Sequence, residues 1–254
     1  MAALTGKIAL VTGASRGIGK AIALALSRSG AAVYLAADET REELAAVAAE
    51  CRAHNAFARA EFGLFDLGDA EDVQRMVDAA LAAYGRIDIL VNNAGIRIRH
   101  PFGEYSAAEF DRLVAVNLRA PFLASQAVVP SMRANGGGRI ITIGSQAGIV
   151  AATNSALYGL SKAALIYLTK AMALDLAKDR IMVNAVSPGP IETEFTRSRM
   201  QSEPGHREAR AARIALGRWG QPEEVAEAVL FLASSAPAFV HGANLVIDGG
   251  YVIH

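Results

Sequence analysis

Tyr158 and Lys162 stand four residues apart, and on one helical face their β-carbons lie about 5–6 Å from each other. Free tyrosine has a pKa of about 10 and is a poor base at neutral pH. A lysine ammonium beside it favours the phenolate, so the pair could take a proton from an alcohol or return one to a carbonyl. The spacing alone equally describes two side chains on a helix surface. Ser145 upstream and a glycine-rich turn near the start, Thr12-Gly13-Ala14-Ser15-Arg16-Gly17-Ile18-Gly19, change that reading. One half of the chain could hold a dinucleotide, and the other could move a proton while that dinucleotide moves a hydride.

These side chains need a scaffold, and the hydrophobic pattern supplies one. Ile8-Ala9-Leu10-Val11 is a continuous apolar run, as a strand buried on both faces requires. The glycine turn then opens a helix from about residue 17 to 29. Strands follow at 32–37, 57–65, 87–91, 140–143, 181–186 and 245–247. Helices separate them. Thr40 and Glu43 have capping-box spacing, Asp69 can cap the next helix, and Ser106 with Glu109 opens a long one through Asn117, with a break near Pro121. A helix spans 155 to about 178, and Pro222 starts the last. This alternation predicts an α/β, doubly wound Rossmann fold: about seven parallel strands with helices on both faces, a single domain over 1–254. The irregular, charged stretch at about 187–217 is a candidate substrate lid.

Composition narrows the function. Twenty-five basic and 25 acidic residues cancel, so no field favours nucleic acid or an anionic membrane. Cys51 is the lone cysteine, which excludes an internal disulfide and fits a reducing, cytoplasmic setting. The amino terminus runs into a strand without signal-peptide features. Residues 140–161 carry no charge, but Thr142, Gln146, Thr153 and Asn154 interrupt them as a membrane span. The five histidines are scattered, without the spacing of metal ligands.

Gly13, Gly17 and Gly19 allow a tight turn, close approach of backbone to pyrophosphate and a helix amino terminus facing it. Asp38 ends the second strand, where a carboxylate accepts from ribose hydroxyls and repels a 2′-phosphate, favouring NAD; it could also simply cap a solvated loop. Arg16 argues for NADP, since its guanidinium could pair with that phosphate. Asp66 could accept from an adenine amino group or be a plain turn aspartate. Asn92-Asn93-Ala94-Gly95 follows the fourth strand and lets backbone approach the adenine ribose.

In this order, Thr12-Gly13-x-x-x-Gly17-x-Gly19, Asn92-Asn93-Ala94-Gly95, Asn117, Ser145, Tyr158-x-x-x-Lys162 and Pro188-Gly189 resemble the short-chain dehydrogenase/reductase family over essentially the full length. The resemblance implies a nicotinamide cofactor, interconversion of an alcohol and a carbonyl, and a homotetramer. It assigns Tyr158 as general acid/base, Ser145 as donor to the substrate oxygen, Lys162 as holder of the nicotinamide ribose and Asn117 as positioner of a water. The cofactor contacts it implies are Gly13, Ser15, Arg16, Gly17, Ile18, Gly19, Asp38, Asp66, Leu67, Asn93, Ala94, Gly95, Tyr158, Lys162, Pro188, Gly189, Ile191 and Thr193. Of these, Thr193 and the backbone near Ile191 are placed at the carboxamide.

Residues 92–101 with Arg218-Trp219-Gly220 resemble the gluconate 5-dehydrogenase branch. There an arginine after the turn, here Arg99, meets a sugar-acid carboxylate; a solvent-facing or subunit contact is the plain alternative. A polyol or sugar acid is the leading substrate class. The alternative, 3-oxoacyl-acyl-carrier-protein reductase, is resembled by residues 138–145 and 191–193. Against it, Leu174 stands where that branch has an arginine, and Asp38 suits NADPH poorly. A non-catalytic dinucleotide sensor would have lost Tyr158 or Lys162, and both are present.

Overall fold

A computed structural model describes residues 3–54, 59–194, 196–197 and 205–253. Strand β1 (Ile8–Thr12) leads through the glycine turn into α1 (Gly17–Arg28), β2 (Ala32–Ala37), α2 (Arg41–Ala53), β3 (Ala60–Leu64), α3 (Ala70–Tyr84) and β4 (Ile89–Asn92). The second half runs α4 (Ala107–Val114), α5 (Ala120–Ala134), β5 (Gly138–Ile143), α6 (Ala156–Leu176), β6 (Ile181–Pro188), α7 (His206–Ala211), α8 (Pro222–Ala233) and β7 (Asn244–Ile247).

The seven strands form one parallel sheet in the order β3-β2-β1-β4-β5-β6-β7. The chain therefore winds outward from β1 to β3, returns, and winds the other way from β4. Between β1 and β4, where Leu10 faces Leu90 in register, the loops diverge and leave a crevice beyond the strand ends. Alternate residues of each strand enter opposite cores. Ala9, Val11, Val33, Leu35, Val91 and Ile141 join α1, α2 and α8 on one face. Leu10, Tyr34, Leu90, Ile140 and Val183 join α3, α5 and α6 on the other. Burial on both sides explains why β1 reads as an unbroken apolar run.

Most predicted elements stand where the sequence puts them. Thr40 accepts from Glu43 N–H, and Asp69 from Glu71 N–H. At Ser106 the full reciprocal capping box forms with Glu109. The third strand is shorter than expected, and Phe57 of its predicted start lies outside the described residues. The long helix changes at Asn117 rather than at Pro121: residues Ala115–Arg119 make a wider π turn, and Pro121 sits in the first turn of α5. Pro in a first turn costs no hydrogen bond, whereas a π turn pushes one residue out of register and is frequent at functional sites. The run 107–134 is long and apolar enough to span a bilayer by composition. Here it buries Leu113, Ala124, Val128 and Met132.

Candidate active site

The crevice begins with a cross-braced pair of loops. The Thr12 hydroxyl accepts the N–H groups of Asn93 and Ala94, each at 3.0 Å. The Asn93 carboxamide donates to the carbonyls of Thr12 at 2.9 Å and Gly13 at 3.0 Å. These bonds draw the glycine turn so close that a β-carbon at Gly13 would lie 2.9 Å from Asn93 Nδ2 and from Ala94 Cα. At Gly19 it would overlap the Gly13 carbonyl oxygen. Gly17 has a φ of +53°, where side chains are strained. The first turn of α1, which includes Ile18 and Gly19, carries no acidic residue, and the N-terminus of a helix favours an anion. These residues fit a dinucleotide pyrophosphate.

Other predicted cofactor residues close around this turn. A β-carbon on Gly17 would stand 3.4 Å from Thr193 Cγ2, which brings the segment after β6 over the glycines. Thr193 is fixed by its own N–H donating to Thr196 Oγ1 at 2.8 Å. Ile191 is buried and pairs with Gly220. Pro188 ends β6 against Ile247, and Gly189 N–H donates to the Ile247 carbonyl at 2.9 Å.

At the end of β2, Glu39 holds what the sequence left ambiguous. Its carboxylate accepts from Ser15 Oγ at 2.8 Å and pairs with Arg16 at 3.2 Å. Partial burial, and then the Glu39 charge, push the Asp38 carboxyl above its ordinary range even though solvent reaches it. Asp66 accepts from Gly68 N–H at 2.8 Å and from Arg112 at 3.1 Å. That N–H first, and Arg112 with it, hold its carboxyl below the usual value. Leu67 beside it is buried.

The proton half is built on α6. Tyr158 is half-buried, and Lys162 Nζ lies 5.7 Å from the centre of its ring. Lys162 is only 4% exposed, and its ammonium donates to the Ile143 carbonyl at 2.8 Å. Burial pushes the ammonium below the ordinary lysine value, opposed by the Tyr158 oxygen. Ser145 follows β5 and accepts Ala147 N–H at 3.1 Å, capping a tight turn over Gln146–Gly148. That turn seats on α6: a β-carbon at Gly148 would be 2.7 Å from the main chain of Lys162, and one at Gly159 2.8 Å from the Ala147 carbonyl.

Asn117 is fully buried in the π turn. It accepts Ile96 N–H at 2.8 Å, donates to the Ile96 carbonyl at 2.9 Å and reaches Ser161 Oγ at 3.2 Å. Ser161 in turn donates to the Tyr158 carbonyl at 2.8 Å. A β-carbon at Gly95 would stand 3.3 Å from Asn117 Oδ1 and 3.6 Å from Lys162 Nζ. Asn117, Gly95 and Lys162 therefore share one small volume, and the Ser145 turn packs against the same stretch of α6.

Arg99 does not join this cluster by any bond seen here; its guanidinium donates to the Thr153 carbonyl at 3.3 Å. Arg97 does: its guanidinium lies 5.0 Å from the centre of the Tyr158 ring. Sequence reasoning does not single out Glu39 and Ser161, and of the basic residues after the Asn-Asn-Ala-Gly turn, Arg97, Arg99 and His100, it takes Arg99 over Arg97. Glu39 was detectable, since it adjoins Asp38 and opposes the charge of Arg16. Nothing in the sequence ranks Arg97 over Arg99.

A family model described as enoyl-(acyl carrier protein) reductase matches residues 13–252. The 3-oxoacyl-[acyl-carrier-protein] reductase of Thermotoga maritima is 39% identical over 98% of this chain and 99% of that protein. D-threitol dehydrogenase of Mycolicibacterium smegmatis is 41% identical over 98% and 94%. Among solved structures, a putative NAD(P)-dependent gluconate 5-dehydrogenase from Beutenbergia cavernae with bound NADP superimposes with a TM-score of 0.92. It is 37% identical and covers 99% of both chains. A crevice shaped for a dinucleotide, a tyrosine and lysine on its wall, and relatives matched end to end lead to one statement: this chain belongs to the short-chain dehydrogenase/reductase family.

Proposed function

We propose that this oxidoreductase interconverts a secondary alcohol and a ketone on a polyol or sugar acid, with NAD as its cofactor and Tyr158 as the proton carrier. The observation that carries the reading is the buried Lys162 ammonium held between the Ile143 carbonyl and the Tyr158 ring. A cation kept dry and close favours the phenolate far more than one in bulk water.

When bound, the nicotinamide accepts or supplies the hydride. In oxidation Tyr158 removes the hydroxyl proton as the C–H bond breaks; in reduction it returns that proton to the carbonyl oxygen. Ser145 donates to the same oxygen as its charge changes. Lys162 also holds the nicotinamide ribose, and Asn117 positions a water leading from Lys162 outward. The glycine turn with Ser15 and Ile18 holds the pyrophosphate; Asp38, Asp66, Leu67, Asn93, Ala94 and Gly95 hold the adenosine; Pro188, Gly189, Ile191 and Thr193 hold the carboxamide end.

Two points support NAD over NADP. Asp38 and Glu39 place two carboxylates at the end of β2, where a 2′-phosphate would sit. Arg16, the residue that argued for NADP, is neutralised by Glu39. A polyol or sugar acid is supported by D-threitol and gluconate in the names of relatives. The acyl-carrier reading draws on the Thermotoga relative. Leu174, an apolar side chain 83% exposed, supplies no positive charge at the position where the acyl-carrier branch has an arginine.

We assign residues 187–217 as the lid of the single domain 1–254; positions 195 and 198–204 of it lie outside the described residues. A homotetramer is supported by exposed apolar side chains. Leu160, Tyr167 and Leu174 recur every seventh residue along α6, and Phe231, Phe239 and Ile253 are exposed in the C-terminal part. The lone buried Cys51, its thiol pushed up to about 11 by burial, suits a cytoplasmic enzyme.

The test is the absorbance of reduced nicotinamide, with NAD and NADP supplied separately, across sugar acids, polyols, cyclic alcohols and 3-oxoacyl thioesters. Turnover of polyols or sugar acids with NAD is expected. A clear NADP preference overturns the cofactor assignment, and turnover of thioesters alone overturns the substrate class.

A further inference from the structure

Tyr158 meets a second cation that the proton-transfer scheme above does not use. Arg97, two residues beyond the Asn92-Asn93-Ala94-Gly95 turn, places its guanidinium carbon 5.0 Å from the centre of the Tyr158 ring. That is nearer than the 5.7 Å of Lys162 Nζ. The guanidinium is also anchored: Arg97 Nη2 donates to Ser155 Oγ at 3.1 Å. Ser155 is 3% exposed, and its hydroxyl donates on to the Thr153 carbonyl at 3.3 Å. A planar cation fixed over an aromatic face lies within the range where charge and ring attract, more strongly as water is excluded.

Among the described residues, the charged side chains of the neighbouring elements bond elsewhere, Glu192 after β6 to Arg207 among them. The turn over Gln146–Gly148 brings Ser145 and Gln146, and the π turn brings Asn117. Arg119 donates to the Gly68 carbonyl. On α4, Glu109 bonds His100, and Arg112 bonds Asp66. Strand β6 carries no charged residue. On α6 the nearby charge is Lys162 itself. Two positive groups, from two separate elements, therefore act on one phenol, and none of the bonds among the described residues sets a carboxylate against it.

We propose that Arg97 is a positioning and charge-supplying residue of the proton-transfer centre, sharing with Lys162 the stabilisation of the Tyr158 phenolate. The guanidinium holds the ring in place through Ser155 and adds positive potential at the phenolic oxygen. The enzyme then oxidises alcohols at a lower pH than one cation would allow. Because guanidinium does not titrate in the working range, this contribution stays constant across it. The proposal rests on Tyr158 as the proton carrier, and it does not depend on which alcohol is the substrate.

The test compares the parent enzyme with Arg97→Gln, Arg97→Lys and Ser155→Ala, using a neutral polyol so that no substrate carboxylate is involved. Removing one unit charge at this range moves a neighbouring ionisation by roughly half to one pH unit. In Arg97→Gln the acid limb of the kcat/KM profile for oxidation should rise by about that amount, so that activity at neutral pH falls roughly three- to tenfold. Arg97→Lys keeps the charge but loses the planar stacking and the forked anchor, so it should shift the limb the same way by less than Arg97→Gln. Ser155→Ala, which frees the guanidinium and gives up the bond to the Thr153 carbonyl but keeps the charge of Arg97, should shift the limb the same way by less. The KM for the dinucleotide should not change in any of them.

A second readout is independent of turnover. The ultraviolet difference spectrum between each protein and its Tyr158→Phe counterpart isolates one phenolate among six tyrosines. Its titration midpoint should rise with the kinetic limb. Activity lost with both midpoints unmoved would reduce Arg97 to a structural contact and overturn the proposal. So would an equal shift in Arg97→Lys. If Arg97→Gln does not fold, Arg97→Lys and Ser155→Ala decide: an unmoved midpoint in Ser155→Ala contradicts the anchoring, and a large shift in Arg97→Lys contradicts the charge. If the parent oxidises no alcohol, the functional reading fails, while the spectroscopic midpoint still reports on Arg97.

Discussion

The ammonium of Lys162 donates to the main-chain carbonyl of Ile143, the last residue of β5, at 2.8 Å. This bond ties α6 to the sheet where the crevice opens, and it fixes the cation on which the Tyr158 chemistry depends. Replacing Lys162 by Met should lower kcat/KM by about a hundredfold or more, with the fold retained.

The same lysine sets a stability trend. Burial pushes its ammonium below the ordinary lysine value of 10.5, so between the folded value and 10.5 the unfolded chain binds more protons than the folded one. Stability contributed by this group therefore rises with pH through that window. Urea unfolding at several alkaline pH values should show a gain in the parent that Lys162→Met lacks; parallel curves would contradict the burial argument.

Cofactor choice is predicted to turn on Glu39. The double variant Asp38→Ser with Glu39→Gln removes two carboxylates and releases Arg16 from its 3.2 Å pair. The kcat/KM ratio of NAD to NADP should fall by roughly ten- to a hundredfold, as expected when a like-charge clash is exchanged for an Arg–phosphate contact. A ratio that does not move would place the 2′-position elsewhere.

The glycine turn has no room for a side chain. In Gly19→Ala the added methyl meets the Gly13 carbonyl and Asn93 Nδ2. Overpacking of this kind costs about 1–3 kcal/mol or more. Thermal unfolding should show that loss, and calorimetry should show weakened dinucleotide binding. Gly85→Ala, with open space around its β-carbon but a φ of +77°, should lose stability without affecting the dinucleotide.

The sheet was legible because its strands are buried on both faces, so Ile8–Val11, Ala32–Ala37 and Ile140–Ile143 read as apolar runs between glycine and capping signals. The Tyr158–Lys162 pair was legible because helical spacing fixes which side chains share a face. What could not be read depended on partners distant in sequence. The π turn forms where Asn117 bonds the main chain of Ile96, 21 residues away, so the local pattern placed the break at Pro121 instead. Arg97 and Arg99 both follow β4 in irregular chain, where no periodicity says which one turns inward. Glu39 takes its role from Ser15, 24 residues away, and from Arg16 beside it in the glycine turn, and adjacency to Asp38 does not specify those contacts.

Acid stability should depend on Glu224. Its carboxylate accepts two bonds from Arg218, at 2.8 and 2.7 Å, and one from Gln221 N–H at 2.8 Å. Arg218 first, and then that N–H, hold its carboxyl down to about 2 from an ordinary 4.5. With the folded value depressed, its stabilisation is present above about 4.5 and is lost as pH falls towards about 2. Solvent screening keeps the contribution small, about 1 kcal/mol or less. Glu224→Gln should lower the melting temperature at neutral pH by a few degrees and flatten the acid limb between those values. An acid limb identical to the parent's would contradict this.

The most direct test of the proton assignment is the turnover of Tyr158→Phe measured beside its affinity for the dinucleotide. Loss of a positioned acid/base should reduce kcat by at least about a hundredfold, while binding of the dinucleotide stays within about threefold of the parent. A variant that retained most of the parent's turnover with the dinucleotide bound would contradict the assignment of Tyr158 as the proton carrier.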